Sequence, residues 1–124
     1  MLVPPGTRGL EQFMNELELE GGADLNRLPV GYALEIETQN TIYILERRSD
    51  GYYIWGNRKY CPQPTKIKHI GSVLGGTAIR MDFVGREAKI EMRLSGRDNP
   101  ITTSWVKSVK EAKLPSRADN NQKL

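Results

Sequence analysis

The chain has a single cysteine, a single histidine and no long apolar run among its 124 residues. One cysteine excludes an internal disulfide framework, and one cysteine with one histidine is too few for the usual tetrahedral zinc site. No stretch approaches the roughly 20 apolar residues that a membrane-spanning helix needs. The chain also starts without a basic segment and a following apolar run, so we expect no secretory signal and a cytoplasmic protein.

Basic residues are scarce in the first part of the chain. Residues 1–46 carry eight acids and two bases, a net charge of −6, whereas residues 47–124 carry sixteen bases and seven acids, a net charge of +9. Two interpretations remain open. The acidic part neutralises the basic part within one domain, or the basic part is exposed to an anionic partner.

The length of the chain predicts one domain. Two prolines and two glycines in residues 1–9 indicate an irregular segment. Residues 10–113 are predicted to form a single β-rich domain, and the polar residues 114–124 a flexible tail. The domain is predicted to begin with an amphipathic helix over residues 10–20, because four apolar residues have the spacing i, i+3, i+4, i+7: Leu10, Phe13, Met14 and Leu17.

After Pro29 the apolar pattern changes to a period of two residues, which is typical of β-strands. Turn signals at Gln39-Asn40 and Ser49-Asp50-Gly51 separate short strands. The run from Gly71 to Gly76 is predicted to be a loop, and the next two alternating runs, Ile79–Phe83 and Ile90–Leu94, a hairpin. The predicted fold is mainly β, a small antiparallel β-barrel or sandwich of six to seven strands with one N-terminal amphipathic helix.

The predicted core takes the apolar residues of the helix and of one face of each strand. They are Leu10, Phe13, Met14, Leu17, Leu34, Ile36, Ile42, Ile44, Trp55, Ile67, Ile79, Met81, Phe83, Ile90, Met92, Leu94 and Trp105.

Aromatic and basic residues lie close together in the middle of the chain, within residues 52–60 and at Lys66 and Lys68. Aromatic rings stack on unpaired bases and flanking cations neutralise phosphates, so this pattern is typical of single-strand binding. The opposite interpretation places the aromatic rings in the core and leaves the cations solvated. The candidate anion or nucleic-acid surface, called the basic-aromatic surface below, comprises Tyr52, Arg58, Lys59, Tyr60, Lys66 and Lys68.

No motif predicts catalysis, a metal or a cofactor. Cys61 lacks a recognisable catalytic signature, and His69 is the one base available to it. Glu35 and Glu37 are interpreted as solvent-facing residues that pair with bases on a neighbouring strand, for example with Arg47. We therefore predict that the protein is not an enzyme.

Several short motifs resemble small bacterial β-proteins of unknown function. The resemblance covers residues 30–110 and implies a compact β-barrel or sandwich, with no activity, cofactor or catalytic residue attached to it. The motifs are Tyr53-Ile54-Trp55-Gly56, Tyr60-Cys61-Pro62-Gln63-Pro64-Thr65, His69-Ile70-Gly71-Ser72, Gly75-Gly76, Met81-Asp82-Phe83-Val84-Gly85 and Ile101-Thr102-Thr103-Ser104.

Two functions follow from these patterns. The first is a non-enzymatic interaction or regulatory domain that binds another protein through an exposed strand edge. The alternative is a nucleic-acid-binding β-barrel that uses the basic-aromatic surface. Neither interpretation involves a membrane, and the pattern leaves the oligomeric state open.

Overall fold

The computed structural model describes Gln12, Leu17, residues 21–75 and residues 78–112, with the backbone alone for residues 74 and 75. These residues are mainly β, and none belongs to a helix long and apolar enough to cross a membrane. The elements are β1 (Gly22–Asp24), a 3-10 turn (Leu25–Arg27), β2 (Ala33–Thr38), β3 (Ile42–Arg48), β4 (Gly51–Trp55), β5 (Thr65–Gly75), β6 (Ala78–Met81), β7 (Phe83–Gly85), β8 (Lys89–Leu94) and β9 (Ile101–Ala112).

The predicted helix over residues 10–20 lies outside the described residues, apart from Gln12 and Leu17. The elements of the described part do not support it, so it stays a prediction. Leu17 is buried in the core, where it was predicted to be. The segments 1–9 and 114–124 also lie outside the described residues.

The predicted antiparallel sheet is confirmed. Seven strands are ordered β4-β3-β2-β9-β8-β5-β6, while β1 pairs with β7 in a separate sheet of two strands. β4 also pairs with β5, through Tyr53 opposite Lys66 and Ile54 opposite Thr65. The strands β2, β3, β4, β5, β8 and β9 therefore form a closed series in which each has two paired neighbours. Within the described residues, β6 pairs with β5 alone.

Apolar residues from both sheets form one core cluster. The core predictions for Leu17, Leu34, Ile36, Ile67, Phe83, Ile90, Met92 and Leu94 are confirmed. Residues that the prediction missed include Leu25, Leu28, Tyr43, Leu45, Ile54, Ile70, Val84 and Val106.

The predicted core is wrong at six residues. Ile44 and Trp55 are only partly buried, and Ile42, Ile79, Met81 and Trp105 are exposed. In β3 both faces are apolar, so alternation alone does not tell which face is inward. The structure buries Tyr43 and Leu45 instead.

The predicted hairpin between Ile79–Phe83 and Ile90–Leu94 is also wrong. β5 lies between β6 and β8 and pairs with both. The predicted loop from Gly71 to Gly76 is, up to residue 75, the second half of β5. Asp82 follows β6 and has a positive φ of 55°. This conformation interrupts the predicted strand over Ile79–Phe83, and Phe83 belongs to β7, which pairs with β1.

A buried serine joins the two sheets. The Ser72 hydroxyl donates to the carbonyl oxygen of Phe83 at 2.6 Å and accepts a hydrogen bond from the Gly85 amide at 2.9 Å. Ser72 belongs to β5 and the other two residues to β7, so this hydroxyl bonds the small sheet to the large one. Arg80 of β6 stands opposite Ser72 in the pairing of β5 with β6.

Candidate functional site

β6 is the strand at the end of the large sheet, and all four of its residues are exposed. Ile79 and Met81 expose 40% and 51% of their surface, which is unusual for large apolar residues on adjacent positions of one face. Arg80 points to the opposite face, and its guanidinium carbon lies 3.7 Å from the centre of the Phe83 ring. We call this four-residue strand the β6 edge. Its outer face is apolar.

The hydrogen bonds around Asp82 show which way the β6 backbone faces. The Asp82 amide donates to the carbonyl oxygen of Ile70 at 2.8 Å, and Met81 stands opposite Gly71. In an antiparallel ladder, this bond marks Met81 and Gly71 as a pair without direct hydrogen bonds. Backbone groups of Met81 therefore face away from β5, and those of Arg80 face toward it.

Ile79 has the same orientation as Met81, because orientation alternates along a strand. The two exposed apolar residues of the β6 edge thus also present their backbone N–H and C=O groups outward. Within the described residues no further strand pairs with these groups, and such a row is a template for another strand.

A groove of about 340 Å³ lies on the outer face beside this edge. We call it the outer-face groove. One wall consists of the exposed apolar side chains of β6, and the opposite wall carries charge. Its lining includes His69, Ile79, Met81, Glu91, Arg93 and Pro100.

A β-bulge brings basic residues together at one end of this groove. The register between β5 and β8 shifts between Ile67 and His69, so that Lys68 and His69 together stand against Arg93. All three side chains are exposed. Within the described part of the chain, neither Lys68 nor Arg93 forms an ion pair. Bulges re-aim side chains in this way beside many functional sites.

The basic-aromatic surface is divided by the fold into separate groups. The Tyr52 hydroxyl donates to the carbonyl oxygen of Leu25 and accepts a hydrogen bond from Arg47 at 3.2 Å, so Tyr52 is a structural residue. Lys66 forms an ion pair with Asp50, with 3.5 Å between Nζ and Oδ2. Lys68 belongs to the bulge described above.

The other three members stay together in the loop between β4 and β5. Arg58 and Lys59 are exposed, and the Nζ atom of Lys59 lies 5.2 Å from the centre of the Tyr60 ring. A residue that sequence reasoning missed joins them, since the guanidinium of Arg97 lies 5.0 Å from the same ring. Arg97 is in the turn after β8, and no local sequence signal links it to Tyr60.

Cys61 and His69 differ in their surroundings. Cys61 is fully buried in the core, and burial raises the pKa of its thiol above the usual value. His69 is exposed on the outer face of β5. Cys61 therefore has neither the accessibility nor the lowered pKa that a reactive thiol needs.

The acidic and basic parts of the chain meet between β2 and β9. Glu35 pairs with Lys110 at 3.3 Å, and Glu37 pairs with Lys107 at 3.5 Å. The sequence predicted that these two carboxylates pair with bases on a neighbouring strand, and they do. Arg47, the base named as an example, is not one of the partners, because it lies over the Tyr52 ring. Among the described residues, no group of three or more histidine, cysteine or acidic residues is placed to hold a metal ion.

Comparison with known proteins adds no functional assignment. No protein-family model matches the sequence, and neither the curated proteins nor the solved structures give a match.

Proposed function

We propose that this chain is a protein-interaction domain that binds an extended segment of a partner along the β6 edge. The proposal rests on one observation: Ile79 and Met81 present both exposed apolar side chains and outward-facing backbone groups. An extended segment that adds to a sheet edge gains main-chain hydrogen bonds, and its alternate side chains give specificity.

We also infer that the closed series of six strands is a small β-barrel. The pairing of β4 with β5 supports this inference, because closure removes sheet edges. In such a barrel β6 is an extension of β5 outside the closed ring. Among the residues that the structure describes, the β6 edge then differs from the six ring strands in having one side without a partner strand.

A proline substitution tests the proposed function. Proline removes an N–H group and is tolerated on an edge strand where that group faces solvent. We expect Ile79→Pro to abolish binding of peptides selected on the wild-type protein from a random displayed library, and Ile79→Val to retain it. Binding is measured by fluorescence anisotropy, and amide NMR spectra of both variants check the fold. Equal affinity of the selected peptides for the proline variant would reject the β6 edge.

Nucleic-acid binding is the second candidate, and the surroundings of Tyr60 favour it. Lys59 and Arg97 flank this ring and Arg58 is exposed next to it. Cations next to an aromatic ring are the usual elements of a single-strand binding surface. In this chain they lie on the ring itself, so a base that stacks on Tyr60 must displace one of them.

A matched pair of double variants tests the second candidate. If Arg58 and Lys59 contact phosphates, Arg58→Gln with Lys59→Gln should lower the slope of log affinity against log salt by about 2. The control, Lys107→Gln with Lys110→Gln, removes the same charge from residues that already form ion pairs. Labelled mixed-sequence RNA and DNA are titrated at about 50 and 200 mM salt. An identical slope in both double variants would reject this surface.

A further inference from the structure

Among the described residues, Trp105 is the largest apolar side chain that the fold leaves exposed, with 46% of its surface accessible. A groove of about 460 Å³ includes this residue in its wall. The volume lies within the range of small-ligand sites, roughly 300 to 1,000 Å³. We call it the Trp105 groove, and its lining consists of Gln39, Arg86, Glu87, Trp105, Val106 and Lys107.

Backbone hydrogen bonds hold two turns beside Trp105. The Gln39 amide donates to the carbonyl oxygen of Trp105 at 3.0 Å, which fixes the turn between β2 and β3. The Glu87 amide donates to the carbonyl oxygen of Val106 at 2.8 Å, and the Val106 amide donates to that of Ala88 at 2.8 Å. These two bonds fix the turn between β7 and β8. Because β9 lies between β2 and β8, the two turns stand on opposite sides of the strand that carries Trp105.

Glu87 has a backbone conformation that favours glycine. Its φ is 62°, in the left-handed region that residues with a Cβ atom rarely adopt. Glu87 is exposed, and within the described part of the chain it forms no ion pair. Strained residues of this kind cluster at binding sites. The Trp105 groove therefore has a carboxylate without a cationic partner, at a position where glycine would be less strained.

Arg86 supplies positive charge to the same groove. It is exposed and forms no ion pair with another described residue. Lys107 also belongs to the lining, but its Nζ atom lies 3.5 Å from a carboxylate oxygen of Glu37. Lys89 stands opposite Trp105 on β8, with its Nζ atom 5.2 Å from the ring centre. The Arg86 guanidinium is thus the lining cation available to a ligand, and its fork of N–H groups suits a phosphate.

An exposed indole, a carboxylate and a guanidinium together match the groups of a guanine nucleotide. Unpaired bases stack on aromatic rings and are recognised by hydrogen bonds to their Watson–Crick edges. A carboxylate has two acceptor oxygens and no donor. The Watson–Crick edge of guanine offers two neighbouring donors, N1–H and the N2 amino group, whereas that of adenine offers one donor beside an acceptor. The carboxylate therefore favours guanine over adenine.

We propose that the Trp105 groove binds a guanine nucleotide. The base stacks on Trp105, its Watson–Crick edge donates to the Glu87 carboxylate, and its phosphate accepts hydrogen bonds from Arg86. A free nucleotide and a single strand carry the same base and phosphate, so the groove suits either source. None of these three residues belongs to the β6 edge or to the surroundings of Tyr60, and the proposal is independent of the function proposed above.

The indole N–H signal of Trp105 in NMR reports on binding. The chain has two tryptophans, and Trp105→Phe assigns the two signals. We expect GMP to shift the Trp105 signal of the wild-type protein with a dissociation constant at least about tenfold lower than that of AMP, because charge-assisted hydrogen bonds are strong. Equal affinities for GMP and AMP would overturn the proposal. A shift with the neutral sugar maltose and none with GMP would also overturn it.

Two glycine substitutions test the role of Glu87. Glu87→Gly removes the carboxylate and relieves the strained backbone, so we expect unchanged or greater stability in urea and equal affinities for GMP and AMP. Glu87→Gln should also lose the preference for GMP. The matched control is Asp82→Gly, which relieves a φ of 55° outside the groove lining and should keep the preference. Retention of the preference in both Glu87 variants, or its loss in the control, would reject the groove.

The phosphate contact is tested with guanosine, which has the base but no phosphate. The wild-type protein should bind GMP about tenfold more tightly than guanosine, and Arg86→Gln should bind the two equally. Lys110→Gln, outside the groove lining, should behave as the wild type does. A preference for GMP over guanosine that survives in Arg86→Gln would contradict the proposed contact.

A labelled pentanucleotide, U-U-G-U-U, identifies the source of the nucleotide. Binding tighter than that of GMP, and weaker at about 200 mM than at about 50 mM salt, would support the site and identify a single strand as the ligand. Binding no tighter than that of GMP would support the site and identify a free nucleotide. Equally tight binding of U-U-A-U-U would overturn the recognition of guanine. Each of these results leaves the proposed pairing at the β6 edge unaffected.

Discussion

Gly56 ends β4 with a backbone conformation that other residues rarely adopt. Its φ is 120°, and a Cβ atom at this position would clash with the carbonyl oxygen of Ile42. Gly96 also has a positive φ, of 83°, but no atom lies within 4 Å of its Cβ position. Substitutions at these two glycines therefore distinguish the free energy that a positive φ costs from the free energy that a steric clash costs.

We expect Gly96→Ala to lower the free energy of unfolding by about 1 kcal/mol, the cost of a left-handed conformation. Gly56→Ala should lower it by at least about 3 kcal/mol, because the clash with the Ile42 backbone adds to that cost. Urea denaturation of the two variants measures both values. A similar loss in both would show that the β3 backbone yields to the added methyl group.

Cys61 provides a pH-dependent prediction. Burial raises the pKa of its thiol, so the folded state holds the proton more strongly than the unfolded state does. The stabilisation that this raised pKa gives is fully present below the pKa of the thiol in the unfolded chain. It is lost as the pH rises through the pKa of the thiol in the folded protein. We expect Cys61→Ala to remove part of the loss of stability above about pH 8.5, measured by denaturation from pH 7 to pH 10. A pH profile that Cys61→Ala leaves unchanged would contradict this assignment.

At the scale of elements, the proposed pairing of a partner strand depends on the orientation of the β6 backbone. β5 pairs with β6 on one side and with β8 on the other, and the register places Ser72 opposite Arg80. The alternation of hydrogen bonds in an antiparallel pair then directs the Arg80 amide to β5 and its two neighbours outward. The proposed partner strand requires this alternation.

Hydrogen exchange measures the alternation residue by residue. We expect the Arg80 amide to exchange with solvent more slowly than those of Ile79 and Met81, because only the Arg80 amide is bonded to β5. Binding of a partner strand should slow exchange at Ile79 and Met81. Equal protection of all three amides in the free protein would mean that the β6 edge is already covered.

At the scale of the whole molecule, the charge asymmetry of the chain is partly neutralised within the fold. Glu35 and Glu37 on β2 pair with Lys110 and Lys107 on β9. Both lysines are more than half exposed, at 63% and 59%. Arg58, Lys68 and Arg93 form no ion pair within the described residues. The first interpretation therefore applies between β2 and β9, and the second, an anionic partner for the exposed bases, stays a prediction.

Exposed ion pairs contribute little to stability. We expect Lys107→Gln with Lys110→Gln to lower the free energy of unfolding by no more than about 1 kcal/mol for each pair. Addition of salt to about 1 M should affect the wild-type protein by a similar amount, because salt screens such pairs. A loss of several kcal/mol in low salt would show that these pairs organise the contact between β2 and β9.

The candidate site was predictable only in part. The exposure of Arg58, Lys59 and Lys68 agrees with their place in the basic-aromatic stretch, but Tyr52 and Lys66 have structural partners. Arg93 and Arg97 were missed. Both are distant in sequence from the other site residues. A bulge places Arg93 beside Lys68 and His69, and the turn after β8 places Arg97 beside Tyr60.

The sequence by itself determined the β class, the turns at Gln39-Asn40 and Ser49-Asp50-Gly51, and the inward apolar residues of β8 together with Leu34 and Ile36 of β2. Those features depend on local conformation and on alternation, which neighbouring residues specify. Only the tertiary structure decided which face of β3 is buried, that Asp82 ends β6, and that β5 separates β6 from β8. These outcomes depend on pairing between distant strands, and a change of register by one residue exchanges the two faces of a strand.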